Sequence, residues 1–124
     1  MTIARQRLGR RAERLVGARL ERAGWRIVAR NARTNSGEID LIALEGSTLV
    51  FVEVKAGRRD ARLGPQRPAH AVGPRKQRQL RRLAREWLAR GRGSSGVSGY
   101  RFDVVGVSFD AAGRADLDHI RGAF

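Results

Sequence analysis

Residues 4–23 carry Leu8, Ala12, Leu15, Val16, Leu20 and Ala23 at spacings of three and four, one apolar stripe that predicts a helix. Arg7, Arg10, Arg14 and Arg22 fall largely off the stripe, and Gly24 follows as a C-terminal cap. From Trp25 the period changes. Trp25 to Ala32 reads as a strand, with Trp25, Ile27 and Ala29 on one face and Val28 on the other. Thr34 to Gly37 supplies turn chemistry, and Glu38 to Leu44 is a second strand. After Glu45-Gly46-Ser47 comes a third strand, Thr48 to Lys55. Connections this short predict antiparallel neighbours.

Residues 56–71 lose all periodicity and read as a basic loop containing Gly57, Gly64, Pro65 and Pro68. Gly73-Pro74 opens a second helix, with proline suited to its first turn. Its stripe is Leu80, Leu83, Ala84, Trp87 and Leu88, surrounded by Arg75, Lys76, Arg78, Arg81, Arg82, Arg85 and Arg90. Residues 91–99 read as a Gly/Ser linker, Tyr100 to Phe109 as a fourth strand, and Leu117 to Ile120 as a short last one. The order helix, three strands, helix, two strands predicts a single α/β domain, a sheet flanked by helices. A chain of 124 residues suits one core rather than two.

Two strands carry charge where a half-buried sheet does not want it. Asp40 stands between Ile39 and Leu41, and Glu53 and Lys55 stand within the otherwise apolar run Leu49 to Lys55. Residues two apart share a face of a strand. Glu53 and Lys55 are therefore neighbours below Phe51, with Val50, Val52 and Val54 on the opposite face. If the second and third strands form a hairpin, Asp40 and Glu53 can face each other, though the register is open. Buried carboxylates must be paired or metal-bound. Two close ones repel unless a cation lies between them. Mg²⁺ takes oxygen ligands and keeps waters that serve as nucleophiles, and a lysine beside it can polarise such a water. Phosphodiester hydrolysis is the chemistry these parts fit. The competing reading is an exposed Glu53–Lys55 ion pair of little energetic weight.

Composition sharpens the choice of substrate. Lys plus Arg number 26 against 12 Asp plus Glu, a formal charge of +14, which attracts polyanions. Cysteine is absent, which removes disulfides, thiolate nucleophiles and Cys-ligated zinc. Two histidines, His70 and His119, are too few for a His-rich metal site. No run is long and apolar enough to span a membrane. The N-terminus lacks the apolar segment of a secretory signal, so a bacterial cytoplasmic location is expected, with nucleoid association left open. The aromatics show no pattern of stacking platforms for single strands, which favours DNA over RNA.

These segments resemble the YraN-like family, UPF0102. The matching residues are Asn31 with Arg33, GEIDLIA from Gly37 to Ala43, FVEVK from Phe51 to Lys55, AVGPRKQ from Ala71 to Gln77, RFDVV from Arg101 to Val105, and the closing His119-Ile120 and Ala123-Phe124. The family is related to the Holliday-junction-resolvase-like branch of the PD-(D/E)xK nucleases. The resemblance implies a restriction-endonuclease-like domain with a central mixed β-sheet, hydrolysing branched or structured DNA with Mg²⁺ or Mn²⁺. Carried over, metal binding falls on Glu13, Asp40, Glu53 and the carbonyl of Val54. Lys55 would assist water attack, and Gln77 would contact substrate or position water. Arg58, Arg59, Arg75, Lys76, Arg78, Arg81 and Arg82 would seat the nucleic-acid backbone. A resolvase-like mechanism implies a homodimer. Ala12, Arg19, Gly57 and His70 depart from the family's usual Gly, Tyr, Arg and acidic residue. Asp103 reads as structural, paired with Arg101 or another arginine. The alternative function is a non-catalytic accessory protein that binds nucleic acid, DNA or RNA, on the same fold.

Overall fold

A computed structural model describes residues 2–59, 72–91 and 96–124. The order is α1 (Ile3–Arg22), β1 (Arg26–Thr34), β2 (Gly37–Glu45), β3 (Thr48–Arg58), α2 (Pro74–Ala89), β4 (Gly99–Phe109) and β5 (Ala115–Ile120). The five strands form one sheet in sequence order. All neighbours are antiparallel except β3 and β4, which run parallel. A parallel pair needs a crossover, and α2 lies in that connection. The chain is thus an α/β domain with a mixed sheet and two helices, consistent with a restriction-endonuclease-like fold.

Each helix covers one face. Ala12, Val16 and Leu20 of α1 pack on Leu41, Ala43, Val50, Val52, Val105 and Val107. Leu80, Leu83, Ala84 and Trp87 of α2 pack on Ile39, Ile42, Leu49, Phe51 and Val104. The split confirms that Val50 and Val52 face away from Phe51. Thr2 caps α1 by accepting the Arg5 amide at 3.2 Å, and Gly24 leaves the helix at φ +92°. Gly17, buried inside α1, lies against the Arg30 guanidinium, which would have to move aside for a Cβ.

Three expectations need correction. Trp25 precedes β1 rather than opening it, although it is buried on the α1 side. Ala29 does not share a face with Ile27. A register shift between Ile27 and Ala29 inserts an extra residue, so Val28 and Ala29 both pack on the α2 side. Residues 56–58 belong to β3 and not to a loop, because pairing with β4 continues to Arg58↔Phe109. The rest of that expected loop, 60–71, and positions 92–95 of the expected linker lie outside the described residues.

Candidate functional site

The sheet forks at one end. The β1–β2 ladder runs out to Thr34↔Gly37, and the β3–β4 ladder runs out to Arg58↔Phe109. Between them the β2–β3 ladder ends at Leu41↔Val52. Beyond that point β2 follows β1 while β3 follows β4. Strand alternation breaks at the same place: Ile39 packs with α2 and Leu41, two residues on, with α1. Asp40 sits at the break.

The fork leaves the Val54 amide without a partner strand on its β2 side. The Asp40 carboxylate takes that role, accepting Val54 N–H on Oδ2 at 2.8 Å. In a strand, the N–H and C=O of one residue serve the same neighbour. The Val54 carbonyl therefore belongs to the fork as well. The register that sequence left open is now visible: pairing ends at Leu41↔Val52, one residue short of Asp40 and Glu53, and the two carboxylates are close enough for Glu53 to raise the Asp40 pKa.

Glu53 is 5% exposed. Its Oε2 lies 3.7 Å from Lys55 Nζ and 3.4 Å from Lys76 Nζ. Lys55 comes from two residues further along β3, and Lys76 reaches in from the first turn of α2. Glu13 approaches from α1 and lines the same small pocket as Asp40. Asn31 completes the group. With its amide oriented to donate, it stands 2.9 Å from Glu38 Oε1 and 3.2 Å from Glu13 Oε1. Asn31 is also the one non-glycine among the described residues with positive φ, +49°. A β-strand residue held there stores strain, tolerated where the surroundings enforce it.

Electrostatics set the character of the fork. Burial, and then the Glu53 carboxylate, push Asp40 up from 3.8 to about 8. Burial also raises Glu13, opposed by Arg10 and reinforced by Glu38 and Glu53. At neutral pH the Asp40–Glu53 pair therefore holds a proton unless a cation neutralises it. A divalent ion fits this donor set: two adjacent carboxylates, one of them nearly buried, beside a backbone carbonyl. Mg²⁺ is commonly held by one or two carboxylates with water completing the shell. Among the described residues no three His, Cys, Asp or Glu side chains form a metal-binding group, so Glu13 stands by Asp40 rather than as a third arranged ligand.

The other sequence candidates are more scattered. Gln77 donates its amide to the Val72 carbonyl at 3.1 Å and so ties down the start of α2. Lys76, expected on the nucleic-acid backbone, is paired to Glu53. Arg59 pairs with Asp116 of β5. Arg81 lies over the rings of Phe102 and Phe124, at 5.3 and 5.4 Å from their centroids. Arg58, Arg75, Arg78 and Arg82 are exposed. Sequence reasoning gave Asn31, Glu38 and Arg10 no part in the site. Asn31 in the middle of a strand and Glu38 at the head of GEID were the signals available.

Asp103 is structural, as expected. Its side chain is 0% exposed and accepts from Arg101 Nε at 2.8 Å, Arg101 Nη2 at 3.0 Å and the Gly122 amide at 3.0 Å, with His119 Nε2 at 2.8 Å. Trp25 backs this group, with His119 tilted against it and Arg101 and Arg121 each 5.5 Å from its ring centroid. Arg101 and Arg121 both pair with Glu45, which fastens the C-terminus to the end of β2.

Residues 12–107 match the family described as Uncharacterised protein family UPF0102. The chain belongs to UPF0102. Its similarity to other UPF0102 proteins extends over nearly its whole length. It is 45% identical to the UPF0102 protein of Geobacter sulfurreducens over 117 residues, covering 94% of this chain and 88% of the relative. It is 48% identical to that of Rhodococcus jostii over 118 residues, covering 94% and 95%. It is 44% identical to that of Streptomyces griseus over 119 residues, covering 96% and 97%. The family match runs from Ala12 in α1 to Val107 in β4, and so contains Glu13, Asn31, Glu38, Asp40, Glu53, Val54, Lys55 and Lys76. No helix among the described residues of this UPF0102 chain is long and apolar enough to cross a membrane.

Proposed function

We propose that this UPF0102 protein is a metal-dependent phosphodiester hydrolase acting on nucleic acid, with DNA of branched or otherwise distorted structure as its substrate. One observation carries the reading: Asp40 and Glu53 meet in the open fork of the sheet, with two lysine ammonium groups on the same Glu53 oxygen atom. Buried like charges are costly, and a fold that brings them together at a strand fork favours a site for a cation. The formal charge of +14 supplies the attraction for a polyanion.

Asp40, Glu53 and the Val54 carbonyl would hold Mg²⁺ or Mn²⁺, with Glu13 beside Asp40. When bound, the ion would supply Lewis acidity and an activated water. The protein's own groups divide the remaining work. Lys55 is about one-third exposed and reaches Glu53 from the fork, placed to orient a water or to steady charge building on a phosphoryl oxygen. Lys76 neutralises Glu53 from the α2 side and can turn to a phosphate once a cation takes its place. Asn31 holds Glu13 and Glu38 in register, and the Val54 amide fixes the Asp40 rotamer. A cytoplasmic location and a two-fold dimer, which would permit paired cuts in a junction, accompany this reading.

The accessory reading, nucleic-acid binding without cleavage, is favoured by the absence of a ready three-carboxylate group among the described residues. One experiment separates the two. Fluorescent duplex, single strand, flap, four-way junction and structured RNA are incubated with Mg²⁺, Mn²⁺ or EDTA, beside Asp40→Ala and Glu53→Ala proteins. The hydrolase reading requires metal-dependent cutting that both substitutions abolish. Salt-sensitive binding with no cutting in any lane would overturn it in favour of the accessory reading.

A further inference from the structure

We propose that the N-terminal half of α1 seats the sugar–phosphate backbone of a nucleic-acid duplex, through Arg7, Arg10 and Arg14. This rests on the polyanion-binding part of the function proposed above and adds where the strand lies. Arg7, Arg10, Arg11 and Arg14 occupy positions i, i+3, i+4 and i+7, one face of the helix. All four are exposed. Together with Ile3 and Gln6 they line an open groove of about 420 Å³. A second groove, of about 570 Å³, shares Gln6 and Arg10 with it and descends to Glu13, Asn31, Glu38 and Lys55. Arg10 is therefore the crest between an arginine surface and the acidic fork. No residue of α2 lines either groove.

The stripe is unfavourable for the free protein. Arginines three and four apart on a helix repel. Positive charge in the N-terminal half opposes the helix dipole, and the first turn holds no acidic residue to offset it. Several other cations have partners, while Arg75, Arg78, Arg82 and Arg85 of α2 are, like the stripe, without an ion pair among the described residues; the stripe differs from them in lining the grooves that lead to the fork. Arg11 donates to the Gly113 carbonyl and covers Phe109. Lys76 is on Glu53, and Arg81 is on Phe102 and Phe124. Arg90 binds the β1–β2 turn through the Arg33 carbonyl and Asn35. Among the described residues, Arg7, Arg10 and Arg14 form no ion pair with a carboxylate, although Arg10 acts on Glu13 at longer range. From Arg7 to Arg14 the helix rises about 10 Å, enough to meet about three successive phosphates of one strand. No aromatic side chain lines the two grooves, so bases have nothing to stack on. A double helix, offering its backbone outward, fits this surface.

The test uses the full chain in EDTA, so that binding is read without cleavage. Anisotropy of labelled DNA and RNA duplexes of one sequence is followed from low to high salt. The proteins are wild type, the triple variant Arg7→Gln, Arg10→Gln, Arg14→Gln, and the matching triple Arg→Lys variant. Glutamine and lysine keep arginine's helix propensity, and circular dichroism checks that α1 persists. The slope of log affinity against log salt should fall by about three in the Gln variant and return in the Lys variant. The duplex on which the shift appears identifies the source of the backbone. Wild-type slopes in the Gln variant on both duplexes, or no return with Lys, would overturn the proposal. Metal-dependent cleavage with an unchanged slope would refute this seat and leave the hydrolase reading standing. A lowered slope without cleavage would do the reverse.

Discussion

Asp40→Asn should stabilise the metal-free protein, because the wild-type fork holds a carboxyl where folding disfavours its charge. Asp40 titrates near 8 in the folded chain against 3.8 in its ordinary setting. Below 3.8 both folded and unfolded states are protonated, and Asp40 does not affect stability. Between 3.8 and 8 the unfolded chain has lost the proton that the folded one keeps, so stability falls as pH rises. Above about 8 the penalty is complete. At about 1.4 kcal/mol per unit, the interval from 3.8 to 7 sets a ceiling of about 4 kcal/mol at neutral pH. Sharing the proton with Glu53 relieves part of this. Asparagine removes the charge, keeps an oxygen for the Val54 amide, and offers an N–H to the carboxylates beside it. A gain on the order of 2 kcal/mol in EDTA follows, worth roughly 8 °C in Tm for a domain of this size. Denaturant unfolding followed by the fluorescence of Trp25 and Trp87, from pH 4 to pH 9, measures it. Mg²⁺ should raise the wild-type Tm and leave the variant's unchanged. If Asp40→Asn is no more stable than wild type at pH 7 in EDTA, or if the gap fails to widen from pH 4 to 8, the account of the fork as a strained cation site is wrong.

The opposite sign holds at Asp103, whose partners lower its pKa to about 2, so its contribution is present above 3.8 and lost as pH falls through 2. That interval amounts to about 2 kcal/mol; Asp103→Asn should lose it at pH 7 and lose little further on acidification, and an unchanged acid limb in denaturant titrations would contradict the role assigned to the Arg101–His119–Gly122 group. At Asn31, with φ +49°, glycine relieves strain that alanine retains, so Asn31→Gly should unfold at higher denaturant than Asn31→Ala, by about 1 kcal/mol. Both lose the amide between Glu13 and Glu38 and should bind Mn²⁺ more weakly than wild type by calorimetry; equal stabilities would remove the strain argument, and wild-type affinity in both would remove the positioning role.

The site was half legible in the sequence, and the division has a physical cause. A carboxylate in an apolar strand breaks a pattern, so Asp40 and Glu53 stand out against Ile39, Leu41, Val52 and Val54 without any structure. The strands and the β2–β3 hairpin were readable from the same alternation. The fork was not, because it arises where β2 stays with β1 and β3 with β4, a competition between ladders that no single strand records. The bulge between Ile27 and Ala29 was hidden for a similar reason, since Val28 and Ala29 are small and apolar and satisfy either face. Cations pose the reverse problem from carboxylates. Among 26 lysines and arginines, a basic residue on a helix breaks no pattern, and only tertiary placement sorts one from another. Placement takes Lys76 from an assumed phosphate contact to Glu53 and sets Arg81 against two phenylalanine rings. Among the described residues it leaves Arg7, Arg10 and Arg14 without an ion pair beside the fork. On the function proposed here, the acidic residues mark where chemistry would happen, and tertiary placement sorts which positive charges would meet a polyanion there.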